Sequence, residues 1–366
     1  MLAVADAVRA LLPSARLVFV GTDKGMETKL VPERGYELEL VKVVPIRGGG
    51  LTGALQGIAS AAASIPLARR IVQRVAPAAV FSIGGYAAGP VALAARTLGI
   101  PVALAEPNAE VGLANRLVAP FVQRAYVAFE YSQRYFRPGV TVHTGAPLRS
   151  GFEPAPYRMP EPGRLAVLVL GGSQGAKSLN EAVPRALARL GEGVSVVHQC
   201  GRAHEAAAVA LYDELGLSER ARVVPFIDDM PAALAAADLV IGRAGAGAVG
   251  EVCAVGRPSL LVPYPFAGDH QKVNADCIAR EGASVWVPSA EATPERLATE
   301  LGALLNDPAR LVAMADSARR IGRPRAAHAI ALDLLSLAGV AEAQQGAASQ
   351  RSPGGGPDFV KLTEAI

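Results

Sequence analysis

The sequence predicts an α/β protein with two doubly wound, Rossmann-like domains. The chain has 366 residues, more than a single core usually serves. Short apolar, β-branched runs alternate with helical patterns along it, which is typical of parallel strands joined by helical crossovers. Hydrophobic residues make up 51% of the chain and aromatic residues only 5%, which favours closely packed cores of alanine, valine and leucine.

The first series of strands defines a predicted N-terminal domain, residues 1–147. Its strands are nearly all apolar, as expected for strands that are covered on both faces. They are expected at 17–20, 38–44, 79–83, 102–104, 125–128 and 140–143. The series is preceded by an apolar-periodic helix from Met1 to Leu12, whereas a doubly wound domain normally opens with a strand and a glycine-rich turn. We therefore expect the first strand and its glycine loop to be missing.

A proline-rich segment, residues 148–163, is the predicted interdomain linker. The second domain, 164–322, is expected to be another doubly wound sheet. Its strands are expected at 165–170, 194–198, 221–224, 239–241, 259–262 and 284–287. A helix at 323–338 could return to the N-terminal domain. Residues 339–366 are rich in glycine, proline and serine, and we expect them to be disordered.

Composition excludes several classes of protein. The 36 basic and 33 acidic residues give a net charge of +3, too small to indicate a nucleic-acid-binding protein. Three widely spaced cysteines indicate neither a disulfide framework nor a metal cluster. The sequence contains no run of about 18 apolar residues, the length needed to span a bilayer, so we expect a soluble or peripheral protein.

A glycine-rich turn follows the first strand of the second domain. Residues 171–176 read GGSQGA and lead into a helix. Glycines allow a tight turn and a close backbone approach to an anion, and a helix N-terminus adds partial positive charge. With the Ser173 hydroxyl, this turn is a candidate diphosphate site. The alternative is an ordinary strand-to-helix turn that needs glycine only for packing.

Three further strand-end loops carry polar groups. Residues 242–247 are glycine-rich and lead into a helix with Glu251, whose carboxylate could bind both hydroxyls of a ribose, or could simply favour the helix N-terminus. Residues 269–274, DHQKVN, suit the hydroxyls of a sugar, although Asp269 alone could be an N-cap. The loop FIDDM, 226–230, could pack a uracil ring. Ligands bind at such carboxyl ends in open α/β sheets.

The motifs occur in a specific order along the chain: GGYAAGP at 84–90, EPN at 106–108, GLAN at 112–115, GAPLR at 145–149, GGSQGA at 171–176, FIDDM at 226–230, 243–251, and DHQ…N at 269–274. From about Met1 to Ala338 this pattern resembles the MurG family of glycosyltransferases, family 28. The resemblance implies a GT-B fold with a cleft between the domains. It also implies inverting transfer of N-acetylglucosamine from UDP-GlcNAc to the C4 hydroxyl of the undecaprenyl-linked muramyl-pentapeptide, which converts lipid I to lipid II in peptidoglycan synthesis.

The resemblance also implies roles for individual residues. For the UDP-GlcNAc donor, it implies contacts with the diphosphate for Arg149 and Ser173, with uracil for the backbone of Ile227, with ribose for Glu251, and with N-acetylglucosamine for His270 and Gln271, with Asn108, Arg243 and Asn274 as further members of the donor site. On the acceptor side, Tyr86, Asn108 and Asn115 match family positions near the reacting centre, and the turn that contains Gly85 and Gly89 could bind the acceptor pyrophosphate. Asn115 would be catalytic. Glu106 is the candidate general base, with a supporting role as the alternative. Neither a metal nor another cofactor is expected.

The sequence departs from the family pattern at three places. The family's HEQN reads AEPN at 105–108, and its serine-rich donor loop reads RAGAG at 243–247. The family's first loop, GGTGGH, would precede the helix at Met1 and carries a histidine suggested to activate the acceptor hydroxyl. We expect a translation start upstream of Met1, and a protein that starts at Met1 to be poorly stable or weakly active.

The expected acceptor keeps its polyprenyl chain in the bilayer, so we expect a peripheral protein on the cytoplasmic face of the bacterial inner membrane. Residues 46–51 with the helix from Ala54, and Leu117 to Phe121 with Arg124, combine apolar and basic residues, a pattern suited to an anionic membrane surface. Both stretches could instead be core. Cell-wall assembly proteins, linked to cell shape and division, are possible partners.

Two alternative functions remain open. One is another GT-B enzyme, a diacylglycerol glycosyltransferase or a UDP-GlcNAc 2-epimerase, which the donor half by itself does not exclude. The other is a non-catalytic UDP-sugar-binding protein, which the absent first loop would favour.

Overall fold

The structure is a computed structural model, which describes residues 1–23, 25–41, 51–85, 87–172, 175–265, 269–340 and 361–365, with side chains omitted at 51–62 and 361–365. Contacts divide the chain into two compact units. Unit 1 comprises Met1–Arg149 and Arg325–Ile366, and unit 2 comprises Ser150–Pro324. Among the described residues, no helix is both long and apolar enough to cross a bilayer.

Unit 1 is a seven-stranded sheet with helices on both faces. Its helices are α1 (Leu2–Leu11), α2 (Glu27–Glu33), α3 (Leu51–Val75), α4 (Ala88–Thr97) and α5 (Leu113–Val118). Its strands are β1 (Arg16–Gly21), β2 (Glu37–Leu40), β3 (Ala79–Ser82), β4 (Val102–Glu106), β5 (Arg124–Val127) and β6 (Thr141–His143). Near the end of the chain follow a helix at Ala326–Leu337 and a strand at Lys361–Ala365, which are labelled α13 and β13 in chain order. The six expected strands of the N-terminal domain are confirmed, with small differences at their ends.

The strand order is β2-β1-β13-β3-β4-β5-β6, and every pairing is parallel. Alternate residues of β1 serve opposite faces of the sheet, as strand geometry requires. Val18 and Val20 join the core under α3, α4 and α5, and Leu17 and Phe19 join the core under α1 and α13. Burial on both faces explains why these strands read as apolar runs.

The strand β13 lies at the centre of this sheet. It pairs with β1 through Lys361–Ala365 and with β3 through Leu362–Ala365. Residues 361–365 therefore form a strand, whereas we expected them to be disordered. The physical reason is that β1 and β3 would otherwise each present a row of unpaired backbone N–H and C=O groups, which a strand between them satisfies. The preceding tail residues, 341–360, lie outside the described part of the chain.

The helix α13 is anchored to the sheet of unit 1 by a polar contact. The Tyr126 hydroxyl donates to Asp333 Oδ2 over 2.7 Å, and Arg124 Nε lies 3.2 Å from the same oxygen. Burial and the neighbouring carboxylate raise the pKa of Tyr126. This contact joins β5 to α13, the helix that we expected could return to the N-terminal domain.

Unit 2 is a six-stranded parallel sheet with the order β12-β11-β10-β7-β8-β9. Its strands are β7 (Leu165–Leu170), β8 (Val194–Gln199), β9 (Ala221–Val224), β10 (Leu239–Gly242), β11 (Ser259–Leu261) and β12 (Ser284–Trp286). Its helices are α6 (Lys177–Leu187), α7 (Glu205–Glu214), α8 (Met230–Ala235), α9 (Ala246–Val255), α10 (His270–Arg280), α11 (Pro294–Leu305) and α12 (Pro308–Ile321). The expected second series of strands is confirmed. The direction of winding reverses between β7 and β10, which creates a crevice at their carboxyl ends.

The segment expected to be a linker packs against unit 2 at its centre. The buried Arg257 guanidinium donates to the carbonyl oxygen of Pro156 over 3.0 Å and to those of Leu234 and Ala235. The Tyr157 hydroxyl donates to the Asp238 carbonyl over 2.9 Å. These bonds hold this part of 148–163 in a defined place on unit 2, because burial of the guanidinium would otherwise leave Nε and Nη2 without hydrogen bonds.

Candidate functional site

The turn after β7 lies against the end of β8, with little space between them. A Cβ on Gly171 would lie 2.6 Å from the Gln199 carbonyl oxygen, and a Cβ on Gly175 would lie 2.3 Å from the Cys200 carbonyl oxygen. Gly172 and Gly175 also have positive φ, at +75° and +79°. Packing alone therefore requires glycine at 171 and 175. Ser173, the expected diphosphate ligand, lies outside the described residues.

A buried series of hydrogen-bonded side chains lies next to this turn and ends at the Cys200 carbonyl. The Tyr212 hydroxyl and His198 Nδ1 are 3.0 Å apart, and His198 Nε2 and Asn180 Oδ1 are 3.0 Å apart. Asn180 Nδ2 donates to the Cys200 carbonyl over 2.9 Å. Since that bond leaves Asn180 Oδ1 as an acceptor, His198 carries its proton on Nε2 and accepts from Tyr212 at Nδ1.

This relay, Tyr212–His198–Asn180, connects α7, β8 and α6. Burial lowers the pKa of His198 to about 4, so the imidazole is neutral at physiological pH. The role of these residues in the site was not predicted from the sequence. The one available signal was a histidine at the end of the predicted strand 194–198.

The loop after β10 is tied to the turn after β7 by Arg243. The Arg243 side chain donates to the Ser178 hydroxyl on α6 over 2.7 Å and to the Val262 carbonyl after β11 over 3.0 Å. Desolvation lowers the pKa of this half-buried guanidinium. The loop then enters α9, on whose second turn Glu251 lies half-buried. Arg243 thus connects the segments that follow β7, β10 and β11. They lie at the switch point of the sheet, where the direction of winding reverses between β7 and β10.

The start of α10 completes this group of loops. Asn274 is fully buried and donates from Nδ2 to the Ala244 carbonyl over 3.0 Å. Gln271 accepts from the Tyr264 backbone N–H over 3.0 Å, and its Nε2 would lie 3.9 Å from a Cβ on Gly245. His270 is the first residue of the helix, and the Asp269 side chain does not cap it. The structure therefore brings Arg243, Gln271 and Asn274 together.

The FIDDM loop follows β9 at the neighbouring end of the sheet. Asp229 caps α8 by accepting from the Ala232 backbone N–H over 3.0 Å. Ile227 is half-buried, and with Asp228 it lines a groove of about 490 Å³ that extends along β7, β8 and β9 to α8. The described contacts link this loop to that groove and do not link it to Arg243 or Gln271.

In unit 1 the carboxyl ends of β3 and β4 meet around Glu106. Its side chain is 2% exposed, and its two oxygens accept from the Asn108 backbone N–H (2.9 Å), Asn108 Nδ2 (3.3 Å), the Gly112 backbone N–H (3.1 Å) and Asn115 Nδ2 (2.9 Å). Asn115 is only 3% exposed, so it does not face solvent. The structure brings Glu106, Asn108 and Asn115 into one cluster.

The turn after β3 contacts this cluster. Gly84 and Gly85 both have positive φ, and a Cβ on Gly84 would lie 3.1 Å from Asn115 Oδ1. Gly85 is exposed, and Gly89 lies in the first turn of α4. Tyr86 lies outside the described residues. Arg149 is exposed at the end of unit 1.

One surface of unit 1 exposes apolar side chains at helical spacing. Leu113 and Leu117 on α5, followed by Phe121, are 61%, 55% and 39% exposed. Arg124, the basic residue that we expected beside them, forms an ion pair with Asp333. The other stretch that we expected at a membrane, 46–51, lies outside the described residues, as do the side chains of α3 up to residue 62.

The described residues contain no group of three or more histidine, cysteine or acidic side chains that could hold a metal ion. The three cysteines are free thiols, with Cys200 and Cys253 buried and Cys277 half-buried.

Comparison with known proteins gives matches along nearly the whole chain. Residues 1–127 match the glycosyltransferase family 28 N-terminal domain, and residues 166–330 match the family 28 C-terminal domain. A protein of Sorangium cellulosum is 54% identical over 344 residues, which cover 92% of this chain and 85% of the relative. It is named UDP-N-acetylglucosamine--N-acetylmuramyl-(pentapeptide) pyrophosphoryl-undecaprenol N-acetylglucosamine transferase. A protein of Methylococcus capsulatus with the same name is 42% identical, covering 92% of this chain and 94% of the relative.

Solved structures agree with the family match. The crystal structure of Acinetobacter baumannii MurG superposes with a TM-score of 0.75 at 33% identity, covering 92% of this chain and 94% of the other. A putative UDP-N-acetylglucosamine 2-epimerase from Listeria monocytogenes superposes with a TM-score of 0.57 at 14% identity, covering 88% of this chain and 96% of the other, which shows a shared fold alone. The two doubly wound units therefore have the α/β fold of GT-B proteins.

Proposed function

Because this chain belongs to glycosyltransferase family 28, we propose that it transfers N-acetylglucosamine from UDP-GlcNAc to the undecaprenyl-pyrophosphoryl muramyl-pentapeptide of peptidoglycan synthesis. The observation that carries the proposal is the 54% identity to a transferase of that name over 92% of the chain. This similarity extends over both family domains and so includes the half proposed to bind the acceptor. Enzymes that use the same donor differ in that half.

Unit 2 is proposed to bind the donor at the switch point between β7 and β10. Arg243, Gln271 and Asn274 support this role because their hydrogen bonds hold the three surrounding loops in place. In the proposed complex, Ser173 binds the diphosphate, Ile227 binds uracil through its backbone, Glu251 binds ribose, and His270 with Gln271 binds the sugar.

Unit 1 is proposed to bind the acceptor at the carboxyl ends of β3 and β4. The acceptor C4 hydroxyl would attack the anomeric carbon while UDP leaves, which inverts the configuration and forms a β-1,4 linkage. Tyr86, Asn108 and Asn115 would be near the reacting atoms, and Gly85 and Gly89 near the acceptor pyrophosphate. N–H and O–H donors would stabilise the charge that grows on UDP, so we propose that transfer needs no metal ion.

We further propose that the protein binds the cytoplasmic face of the inner membrane peripherally. The exposed Leu113, Leu117 and Phe121 support this because apolar side chains at helical spacing can enter the interfacial region of a bilayer. Since Arg124 is paired with Asp333, burial of apolar surface would contribute more than attraction to anionic headgroups at this patch.

The test is a transfer assay with radiolabelled UDP-GlcNAc and three acceptor conditions: the lipid-linked muramyl-pentapeptide, diacylglycerol, and no acceptor. The proposal expects label in the first lipid only, at the same rate with and without EDTA. Label in diacylglycerol would indicate a lipid glycosyltransferase, and conversion of the sugar without an acceptor would indicate an epimerase. Saturable UDP-GlcNAc binding without any product would indicate a binding protein.

A further inference from the structure

The carboxylate of Glu106 has no unoccupied acceptor position. A carboxylate offers about four lone-pair directions, two on each oxygen. Oε1 accepts from the backbone N–H and from the side-chain amide of Asn108, and Oε2 accepts from the Gly112 backbone N–H and from Asn115 Nδ2. All four positions are therefore used within the protein.

Such a carboxylate is poorly suited to remove a proton from a substrate. A general base must reach the proton within hydrogen-bonding distance, at about 2.6–3.2 Å. At 2% exposure Glu106 is closed to solvent. Two of its donors are backbone N–H groups that cannot rotate away, and losing either bond would leave a partly buried donor unpaired.

The same four bonds determine where two other side chains point. Asn115 Nδ2 donates to Glu106 Oε2 and to the Ala105 carbonyl over 3.2 Å, so the amide nitrogen must face β4. Asn115 Oδ1 must then face Gly84, where it has no hydrogen-bond partner and a Cβ would lie only 3.1 Å away. The carboxylate thus fixes the orientation of the Asn115 amide. The oxygen of that amide in turn leaves little room for a side chain at Gly84, in the turn after β3.

We propose that Glu106 is a positioning residue, which holds Asn108, Asn115 and the Gly84–Gly85 turn in the geometry needed for transfer and does not itself accept the substrate proton. This inference rests on the proposed function and assigns Glu106 a role within it. It replaces the general-base role that the sequence analysis considered for Glu106, and it favours the supporting role considered as the alternative.

The main test is the pH dependence of kcat for wild type and Glu106→Gln. The glutamine keeps the size of the side chain, but its NH2 group faces N–H donors and loses their hydrogen bonds. We expect kcat to fall about 100-fold, as misplaced catalytic groups cause, while the acidic limb of the pH profile keeps its wild-type position. Loss of that limb in Glu106→Gln, with unchanged thermal stability, would overturn the inference.

A second kinetic test uses the double variant Glu106→Gln, Asn115→Ala. Residues that act as one unit have non-additive effects, so the double variant should be no slower than about the slower single variant. Multiplication of the two single-variant losses would contradict a shared positioning role.

A third measurement needs neither a variant nor activity. Backbone hydrogen exchange in the wild-type protein should show protection of the Asn108 and Gly112 amides, which lie in a loop between β4 and α5. Exchange of both at the rate of an unstructured peptide would show that Glu106 does not hold them. This arm separates the two failures: a wild type that transfers nothing counts against the proposed function, whereas unprotected amides count against the positioning role.

Discussion

Asn274 on α10 donates a 3.0 Å hydrogen bond to the backbone carbonyl of Ala244, in the loop after β10. Asn274 is fully buried, so this bond is shielded from water. It fixes the distance between the helix that carries His270 and Gln271 and the loop that carries Arg243. A buried amide is therefore the link between the proposed sugar contacts and the loop that leads to Glu251, the proposed ribose contact.

Replacing Asn274 with leucine should weaken donor binding. The change leaves the Ala244 carbonyl without its partner, which we expect to cost about 1–3 kcal/mol of stability. We expect the Kd for UDP-GlcNAc, measured by calorimetry, to rise at least about tenfold. Lys272→Ala is the matched control on the same helix, because Lys272 is exposed, and it should bind like wild type. Equal affinities for Asn274→Leu and Lys272→Ala would show that Asn274 does not order the site.

The buried His198 should make the stability of unit 2 depend on pH. Its pKa is lowered from 6.5 to about 4 by burial, so the unfolded chain binds a proton more readily than the folded one between these values. Its contribution is complete above pH 6.5 and is lost as the pH falls towards 4. The difference corresponds to about 3 kcal/mol. Urea unfolding of unit 2 at pH 7.5 and at pH 4.5 measures it.

The control for this titration is a pair of histidine variants. His198→Gln should flatten the fall in stability between the two pH values, whereas His328→Gln, at an exposed position of α13, should leave it unchanged. A pH dependence that persists in His198→Gln would assign the effect to another group.

The exposed patch on α5 should decide membrane affinity. We expect Leu113→Ser with Leu117→Ser to lower binding to phospholipid vesicles about tenfold or more, because burying one such side chain contributes about 1.5–3 kcal/mol. Sedimentation with vesicles at low and high salt measures the change. Leu332→Ser, at another half-exposed leucine of unit 1, is the control and should bind like wild type. If the double leucine variant sediments with vesicles as wild type does, this surface does not contribute to membrane binding.

The C-terminal strand should contribute to the stability of unit 1. Proline at Thr363 would remove an N–H from the middle of β13, where both neighbours are paired strands. We expect the thermal transition of unit 1 to move to lower temperature in Thr363→Pro, while unit 2 and its UDP-GlcNAc affinity stay unchanged. Unit 2 is the internal control. Identical melting of unit 1 with and without the proline would mean that β13 adds nothing to the sheet.

The sequence was sufficient to predict both sheets. Apolar runs such as Leu165–Leu170 alternate with helical patterns, which predicts parallel strands covered on both faces. Each of these patterns can be read from residues that are neighbours in the sequence. The order of short motifs was sufficient for the family, because each motif stands at a strand end where a ligand can bind. The position of Asn115 in one such motif was visible, but its burial was not.

Contacts between residues distant in the chain were decided by the tertiary structure alone. No local pattern shows that Tyr212, His198 and Asn180 form one relay, or that residues 361–365 lie beside Ala79–Ser82. Glu106 illustrates the difference. Its sequence neighbours allow either a base or a support, and the choice depends on which N–H groups fill its lone pairs. Folding brings those donors together, because a buried carboxylate is stable only when its oxygens are satisfied.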